Sequence, residues 1–338
     1  MYTPSPDSST MPSGQSPDTK ASVTPGAGIT STLVSARNVL FLFVVAVSIS
    51  LFWTPLRTLL DYSMRGGHQY DQYSHTMLIP FVSLGLMFFE RRKIFKTVGY
   101  GFGVGAALLV VGIILSWPAQ RALPQLGIEE SLSAKILGLV VFWMAGFILC
   151  YGTRAFRTGL FPLLFLLLTV PIPSTILDRP VTAVQYGSTE VCSLIFSLVG
   201  VPVFRQGTVL SLPNISIEVA KECSGIHSTL ALFIVSLLAG HFFLSSSWKK
   251  VALVLFTLPI VCVTNGLRIA LLTLLAVYVD ASFLHGNLHR SGGIGFFLVA
   301  IALLFGILWL LRRGEHPTSL RGDSAQGGGR ALATHAKS

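Results

Sequence analysis

The sequence predicts an all-α polytopic membrane protein with about eight transmembrane helices, plus an amphipathic or partly buried segment between the fifth and the sixth. Hydrophobic residues make up 52% of the 338 residues, whereas only 11% are charged. The mean hydropathy is +0.70, and the apolar residues fall into long runs. Soluble domains carry about 25% charged residues, so this composition excludes a soluble globular fold.

Eight apolar runs are candidate crossings of the bilayer, since a spanning helix needs roughly 20 residues. The runs cover about residues 38–53, 76–89, 98–117, 132–151, 156–170, 225–244, 250–280 and 293–311. Asn265-Gly266 interrupts the long seventh run, so we expect a kink or a break there. Between the fifth and sixth runs, Val181–Val199 is expected to form an amphipathic helix and Val209–Val219 an extended stretch. Gly101–Gly105 is interpreted as a helix-packing face and not as a nucleotide loop, because no strand precedes it.

The two ends of the chain differ from its apolar middle. Residues 1–36 are rich in Ser, Pro, Thr and Gly, and residues 314–338 are polar and Gly-rich. Such segments cannot bury enough apolar surface to fold. We therefore predict a disordered N-terminal tail (1–36), a membrane-embedded domain (37–313) and a disordered cytoplasmic tail (314–338).

Basic residues predict the orientation of the chain. The short connections after the second, fourth and sixth runs carry Arg and Lys, and Arg312 and Arg313 follow the eighth run. Cytoplasmic loops of membrane proteins are enriched in Lys and Arg, so these connections and both termini are predicted to be cytoplasmic. The start of the sixth run and the loop 281–292 then lie on the opposite side. The same rule accounts for the net charge of +10, and we expect no nucleic-acid partner.

One of the four cysteines differs from the others in its surroundings. Cys150, Cys192 and Cys262 lie inside apolar runs, and no CxxC spacing suggests zinc or a disulfide framework. Cys223 lies instead in the polar stretch Val-Ala-Lys-Glu-Cys-Ser-Gly-Ile-His-Ser, which leads into the sixth run. If Ser224 caps that helix, the cysteine lies at the positive end of the helix dipole, where the nucleophilic thiolate is favoured. The alternative is a packing cysteine in a membrane helix.

Arg268 and three histidines could complete a site around this cysteine. A charged arginine inside an apolar run is costly and indicates function, although snorkelling to lipid head groups is the alternative. A thiolate needs a proton partner such as histidine, and acyl transfer needs a group that holds the oxyanion, for which arginine is suited. His227, His285 and His289 are the candidate proton partners. The i, i+4 spacing of the last two also suits a metal pair, but no third ligand is obvious, so we expect no metal.

The order of several short motifs resembles the exosortase/archaeosortase family over about residues 70–310. The matching segments are Tyr73-Ser-His75, Pro171-Ile-Pro173, Gly200-Val-Pro202 with Arg205-Gln-Gly207, Glu222-Cys-Ser-Gly-Ile226, Asn265-Gly-Leu-Arg268, and His289 with Gly293 and Phe296. Each motif is weak alone, but their order and spacing together are specific. His289 stands where archaeal members tend to carry Arg, which favours the exosortase branch. His227 stands where the family more often has Arg.

The resemblance implies a multi-pass cysteine protease/transpeptidase of the bacterial inner (cytoplasmic) membrane, with an extracytoplasmic active site and no cofactor. It would cleave C-terminal sorting signals, often of the PEP-CTERM type, from exported proteins. It would then transfer the cleaved proteins to an envelope or polysaccharide acceptor. Cys223 would be the nucleophile, Arg268 would stabilise the oxyanion or position substrate, and His289 would be the acid/base. Supporting or substrate-binding roles are expected for Glu222, Ser224, Gly225, His227, Asn265, His75 and Arg205.

Two interpretations from other functional classes remain at this point. A transporter could use Asn265 and Arg268 as a solute site at a broken helix, but the hydropathy pattern contains no visible inverted repeat. A non-catalytic factor for exopolysaccharide or envelope export would also be a multi-helix membrane protein.

Overall fold

The computed structural model describes residues 26–64, 73, 75–116, 127–213, 215–219, 226–280 and 287–314, and most of these are helical. The helices are α1 (Gly26–Leu51), α2 (Trp53–Met64), α3 (Leu78–Ile94), α4 (Phe102–Ser116), α5 (Ile128–Thr158), α6 (Leu160–Phe165), α7 (Ser174–Val199), α8 (Ile226–Phe243), α9 (Ser247–Tyr278) and α10 (Asn287–Arg313). Short 3₁₀ turns extend α3 and α6, at Phe95–Thr97 and Leu166–Thr169. The mostly helical architecture is therefore confirmed. The first helix begins at Gly26, and the division into two tails and one domain stays a prediction.

The length and composition of the helices support a membrane protein with fewer clear crossings than predicted. Three described helices are long and apolar enough to span a bilayer: Ile128–Thr158, Ser247–Tyr278 and Gly293–Arg313. The number rises to five if α1 with α2, bent by 74°, and α6 with α7, bent by 95°, each count as one span. The apolar helices α4 and α8 are shorter, and 15 residues of α4 rise only about 22 Å against a hydrocarbon core of roughly 30 Å. The predicted total of eight crossings is not confirmed.

A small antiparallel sheet departs from the predicted all-α fold. Its strands β1 (Phe204–Gln206), β2 (Val209–Ser211) and β3 (Ser216–Glu218) lie in the order β1-β2-β3. Gly207 has φ 65°, a left-handed conformation that glycine adopts without strain in the tight turn between the first two strands. The extended stretch predicted from Val209 is thus confirmed, and the helix predicted over Val181–Val199 lies within α7.

The helix α9 is continuous from Ser247 to Tyr278, so the break that was one expectation at Asn265-Gly266 is wrong, whereas the kink stays a prediction. Gly266 allows close packing of α7 instead. A Cβ at Gly266 would lie 2.7 Å from Cβ of Val191 and 2.8 Å from the carbonyl oxygen of Ser188. The Asn265 amide donates a hydrogen bond to the Ser188 hydroxyl at 3.0 Å and does not compete for the backbone of its own helix. The two residues serve a contact between helices.

Glycines also set the contact between α4 and α5. A Cβ at Gly101 would lie 3.0 Å from Ile148, and one at Gly105 would lie 2.7 Å from Leu149. The interpretation of this segment as a packing face is therefore confirmed. Without a hydrophobic driving force inside the bilayer, close van der Waals contact between small residues is a main source of helix association.

The helices α7 to α10 pack around a common apolar core. Buried apolar residues of α7, α8, α9 and α10 form one cluster, which includes Val184, Leu232, Leu253, Ile260 and Leu304. A smaller cluster joins α3 and α6 to the side of α8. The bundle of α7 to α10 carries both the sheet and the candidate site.

We predict that Gly266→Ala destabilises the protein, because the added methyl group must displace the backbone of α7. Overpacking of this kind costs about 1–3 kcal/mol, so the apparent Tm of the purified protein in detergent should fall. Gly306→Ala is the matched control, since a Cβ at that exposed position of α10 meets nothing within 4 Å. Its apparent Tm should be unchanged or slightly higher. Equal effects of the two substitutions would contradict the close α7–α9 contact.

Candidate active site

A small cavity of about 30 Å³ lies where α8, α9 and α10 meet. Its volume suits a water molecule. The lining residues are Ser228 of α8, Val261, Thr264, Asn265 and Arg268 of α9, and Gly293, Phe296, Phe297 and Ala300 of α10. We call this space the Arg268 cavity. At this cavity, the beginning of α8 and an early turn of α10 both lie beside the Val261–Arg268 part of α9.

Arg268 is half-buried and shares one face of α9 with Thr264 and Asn265, because residues three and four apart are neighbours on a helix. Phe296 and Phe297 face the same cavity from α10. Arginine carries a planar guanidinium cation with five N–H donors. The cavity therefore presents a permanent cation with planar N–H donors beside apolar walls.

The contact between α9 and α7 fixes the helix face that carries Arg268. Ser188 is fully buried, and its hydroxyl accepts the hydrogen bond from the Asn265 amide at 3.0 Å. On the same side, Gly187 lies so close to Cys262 that a Cβ would approach its sulfur to 2.6 Å. Both contacts fix the rotation of α9 about its axis, and thereby the direction of the Arg268 face.

The described residues that flank the segment containing Cys223 are Val219 on one side and the beginning of α8 on the other. Val219 is buried, its N–H donates to the carbonyl oxygen of Thr208 at 3.0 Å, and its carbonyl oxygen accepts a hydrogen bond from the amide of buried Gln185. After the segment, α8 begins at Ile226, and Ser228 in its first turn lines the Arg268 cavity. The predicted residues Glu222, Cys223, Ser224 and Gly225 lie between these two points, outside the described residues.

Two of the three candidate histidine positions lie at the beginnings of helices that reach the cavity. Position 227 is in the first turn of α8, and position 289 is in the first turn of α10. Gly293, one helical turn after His289, lines the Arg268 cavity. The side chains of His227 and His289, and all of His285, lie outside the described residues, so their roles stay predictions.

The other three cysteines pack between helices. Cys150 and Cys192 are buried, and Cys262 is half-buried with its sulfur against Gly187. Within apolar helices such residues behave as small hydrophobic side chains. Cys223 therefore stays the candidate nucleophile among the four.

Two predicted supporting residues lie away from this cavity. His75 precedes α3, and its carbonyl oxygen accepts hydrogen bonds from the N–H groups of Leu78 and Ile79. Arg205 on β1 forms an ion pair with Glu190 of α7 and donates from Nε to the carbonyl oxygen of Gly207 at 3.0 Å. Neither His75 nor Arg205 lines the Arg268 cavity, so the structure gives Arg205 a role in attaching the sheet to α7.

Two polar residues of α7 were missed by the sequence analysis. Gln185 holds the segment before Cys223, and Ser188 holds Asn265. A signal was available, since Gln185, Ser188 and Thr189 recur at three- and four-residue spacing on what proves to be the buried face of the helix. Buried polar groups in a membrane protein are usually paired and functional.

Comparison with known proteins identifies the family. A family model described as transmembrane exosortase matches residues 68–306. No curated protein and no solved structure matches the chain. Because the match extends from the segment before α3 into α10 and includes every residue that lines the Arg268 cavity, the chain belongs to the transmembrane exosortase family.

Proposed function

We propose that the protein is a membrane-embedded cysteine protease/transpeptidase that cleaves C-terminal sorting signals of exported proteins, of the PEP-CTERM type, and transfers them to an envelope acceptor in exopolysaccharide-linked sorting. Family membership supports the activity class. The observation that carries the proposal is the Arg268 cavity, where a half-buried cation lies between the first turn of α8 and the first turns of α10.

In the proposed reaction the Cys223 thiolate attacks the carbonyl carbon of the scissile peptide bond. Negative charge then develops on the carbonyl oxygen, and the Arg268 guanidinium stabilises it. His289 takes the thiol proton and gives it to the leaving amine as the C–N bond breaks. The resulting thioester is resolved by water, which gives an acid, or by an acceptor amine, which gives an amide.

The distribution of charge supports an extracytoplasmic site. Lys250 and Arg268 are 18 positions apart on α9, which corresponds to about 27 Å of helix. At the Lys250 end, Lys249 donates to the carbonyl oxygen of Leu311 at 2.8 Å, two residues before Arg313 in the same basic region. Since basic residues gather on the cytoplasmic side of membrane proteins, we infer that the Arg268 end faces the other compartment, where exported substrates present their signals.

An apolar cavity of about 260 Å³ beside the site supports lateral docking of a substrate helix. It lies between α7, α8 and α9, and its wall includes Val184, Thr229, Phe233 and Leu258. Thr229 directly follows Ser228, which lines the Arg268 cavity. A sorting signal carries its cleavage motif next to a transmembrane helix, so the apolar cavity could receive side chains of that helix while the motif reaches Arg268.

The first prediction of this proposal concerns the nucleophile. When the enzyme is co-expressed with a tagged protein carrying a native sorting signal, Cys223→Ser should abolish the size shift on immunoblots. A hydroxyl has too high a pKa to replace the thiolate. Cys150→Ser is the matched control, because Cys150 lies on α5 outside the bundle that carries the Arg268 cavity, and it should process normally. Processing by the Cys223→Ser variant would favour the transporter or export-factor interpretations.

The second prediction concerns the oxyanion. Arg268→Lys keeps the charge but loses the planar, multidentate donor group, so the rate of processing should fall by about 10²–10³, as for loss of an oxyanion-hole donor. The fall should be in kcat more than in KM. Arg312→Lys, at the other end of the bundle, should leave both constants unchanged. A change in KM alone would assign Arg268 to substrate binding.

The third prediction concerns the docking of the substrate helix. Leu258→Trp fills the apolar cavity and should slow processing severalfold by raising KM. Leu255→Trp is the matched control, because Leu255 lies one turn earlier on α9, is 67% exposed and is not part of the cavity wall. If both variants process the substrate equally well, the substrate helix docks elsewhere.

A further inference from the structure

A third cavity, of about 330 Å³, lies between α5, α6, α8 and α9, near the Lys250 end of the bundle. Its polar wall includes Arg157, His241 and Lys250, and its apolar wall includes Leu160, Leu237 and Val254. Ligand cavities in proteins have volumes of roughly 300–1,000 Å³. We call this space the basic cavity. Its size suits a small charged group together with the first part of an aliphatic chain.

The basic cavity carries an excess of positive charge. Within the described part of the chain, no side-chain hydrogen bond or ion pair joins Arg157 or Lys250 to another residue. His241 lies 2.9 Å from the Glu90 carboxylate through Nε2, and its ring stacks on Phe161 with centroids 3.7 Å apart. Because the nearby carboxylate is engaged by the imidazole, the two remaining cations are available to an anionic ligand.

Neighbouring side chains at this end are typical of the head-group region of a bilayer. The Arg91 guanidinium lies 3.8 Å from the Phe88 ring centre, and that of Arg313 lies 3.5 Å from the Trp309 ring centre. Trp248, the second residue of α9, is 65% exposed. Tryptophan and basic residues concentrate where hydrocarbon meets head groups. The basic cavity therefore lies at a depth that lipid phosphates occupy.

We propose that the basic cavity binds the phosphate head group of an anionic phospholipid. Arg157 and Lys250 donate hydrogen bonds to the phosphate oxygens, and the apolar wall contacts the first methylene groups of an acyl chain. The apolar wall favours a lipid over free phosphate. The absence of an available carboxylate in the described wall disfavours zwitterionic lipids, whose ammonium group would lie beside two cations. Basic pockets between transmembrane helices on the cytoplasmic side bind anionic lipids by the same physics.

This site is independent of the proposed protease chemistry, since Lys250 and Arg268 are about 27 Å apart along α9. A bound lipid would bridge the C-terminal end of α5 and the N-terminal end of α9. It would thereby link the α4–α5 pair to the bundle that carries the Arg268 cavity.

The test uses purified full-length protein in a non-ionic detergent. Phosphatidylglycerol and phosphatidylcholine with identical acyl chains are titrated, and bound lipid is counted by native mass spectrometry while the apparent Tm is recorded. We expect saturable binding of phosphatidylglycerol and a rise in Tm. In the double variant Arg157→Gln/Lys250→Gln the apparent affinity should fall about tenfold or more, because both cations that bind the phosphate are lost.

The control double variant Arg154→Gln/Arg92→Gln removes the same charge from exposed positions outside the cavity and should bind phosphatidylglycerol like the native protein. The proposal fails if phosphatidylcholine binds equally well, or if both double variants lose affinity to the same extent. Inorganic phosphate is the third arm. If millimolar phosphate alone raises the Tm as much as the lipid does, the cavity takes a free anion and the lipid assignment is wrong.

Discussion

The approach of α9 to α7 is the contact on which the candidate site depends. Because Gly266 has no side chain, the carbonyl oxygen of Ser188 can lie only 2.8 Å from the place where a Cβ would be, which is closer than a real Cβ contact allows. The hydrogen bond from Asn265 to the Ser188 hydroxyl then fixes the rotation of α9. Arg268 lies on the same face of α9, about one turn after Asn265. A shift of either helix would turn the arginine away from the first turns of α8 and α10.

The same helix, α7, also binds the chain just before Cys223, at Val219. The amide of Gln185 holds the carbonyl oxygen of Val219, and β3 ends at Glu218 directly before it. Thr189 in turn donates to the carbonyl oxygen of Gln185 at 2.8 Å. In an apolar environment an unsatisfied polar group costs several kcal/mol, so each of these groups is strongly confined to the geometry that pairs it. Paired polar groups on one face of α7 thus position both the arginine helix and Val219, the last described residue before the proposed nucleophile.

The two ends of α9 differ in chemistry. One end carries the half-buried Arg268, and the other carries the buried Lys249, the half-buried Lys250, stacked aromatic rings and a cavity with two cations. Such an asymmetry follows from a bilayer that places head groups, potential and substrate differently on its two sides. It also separates the proposed catalytic site from the proposed lipid site. Substitutions at one site can therefore be tested without changing the residues of the other.

The sequence by itself determined the membrane class, most helix positions and the Arg268 face. Composition excludes a soluble fold, the apolar runs correspond to described helices, and a three-residue spacing puts Asn265 beside Arg268 on any α-helix. These properties are local, because hydropathy and helical periodicity act within one segment.

Only the tertiary structure decided which segments meet. The partners Ser188 and Gln185 are 77 and 34 positions away from the residues they bind, and nothing in a single helix specifies such a pairing. The same reason explains the wrong break at Gly266, since a glycine that weakens an isolated helix here allows two helices to touch. The basic cavity likewise combines α5, α6, α8 and α9. Long-range packing of small and polar residues supplied these parts of the site, because the spacing of polar residues in α7 can mark a buried face but cannot specify its partners.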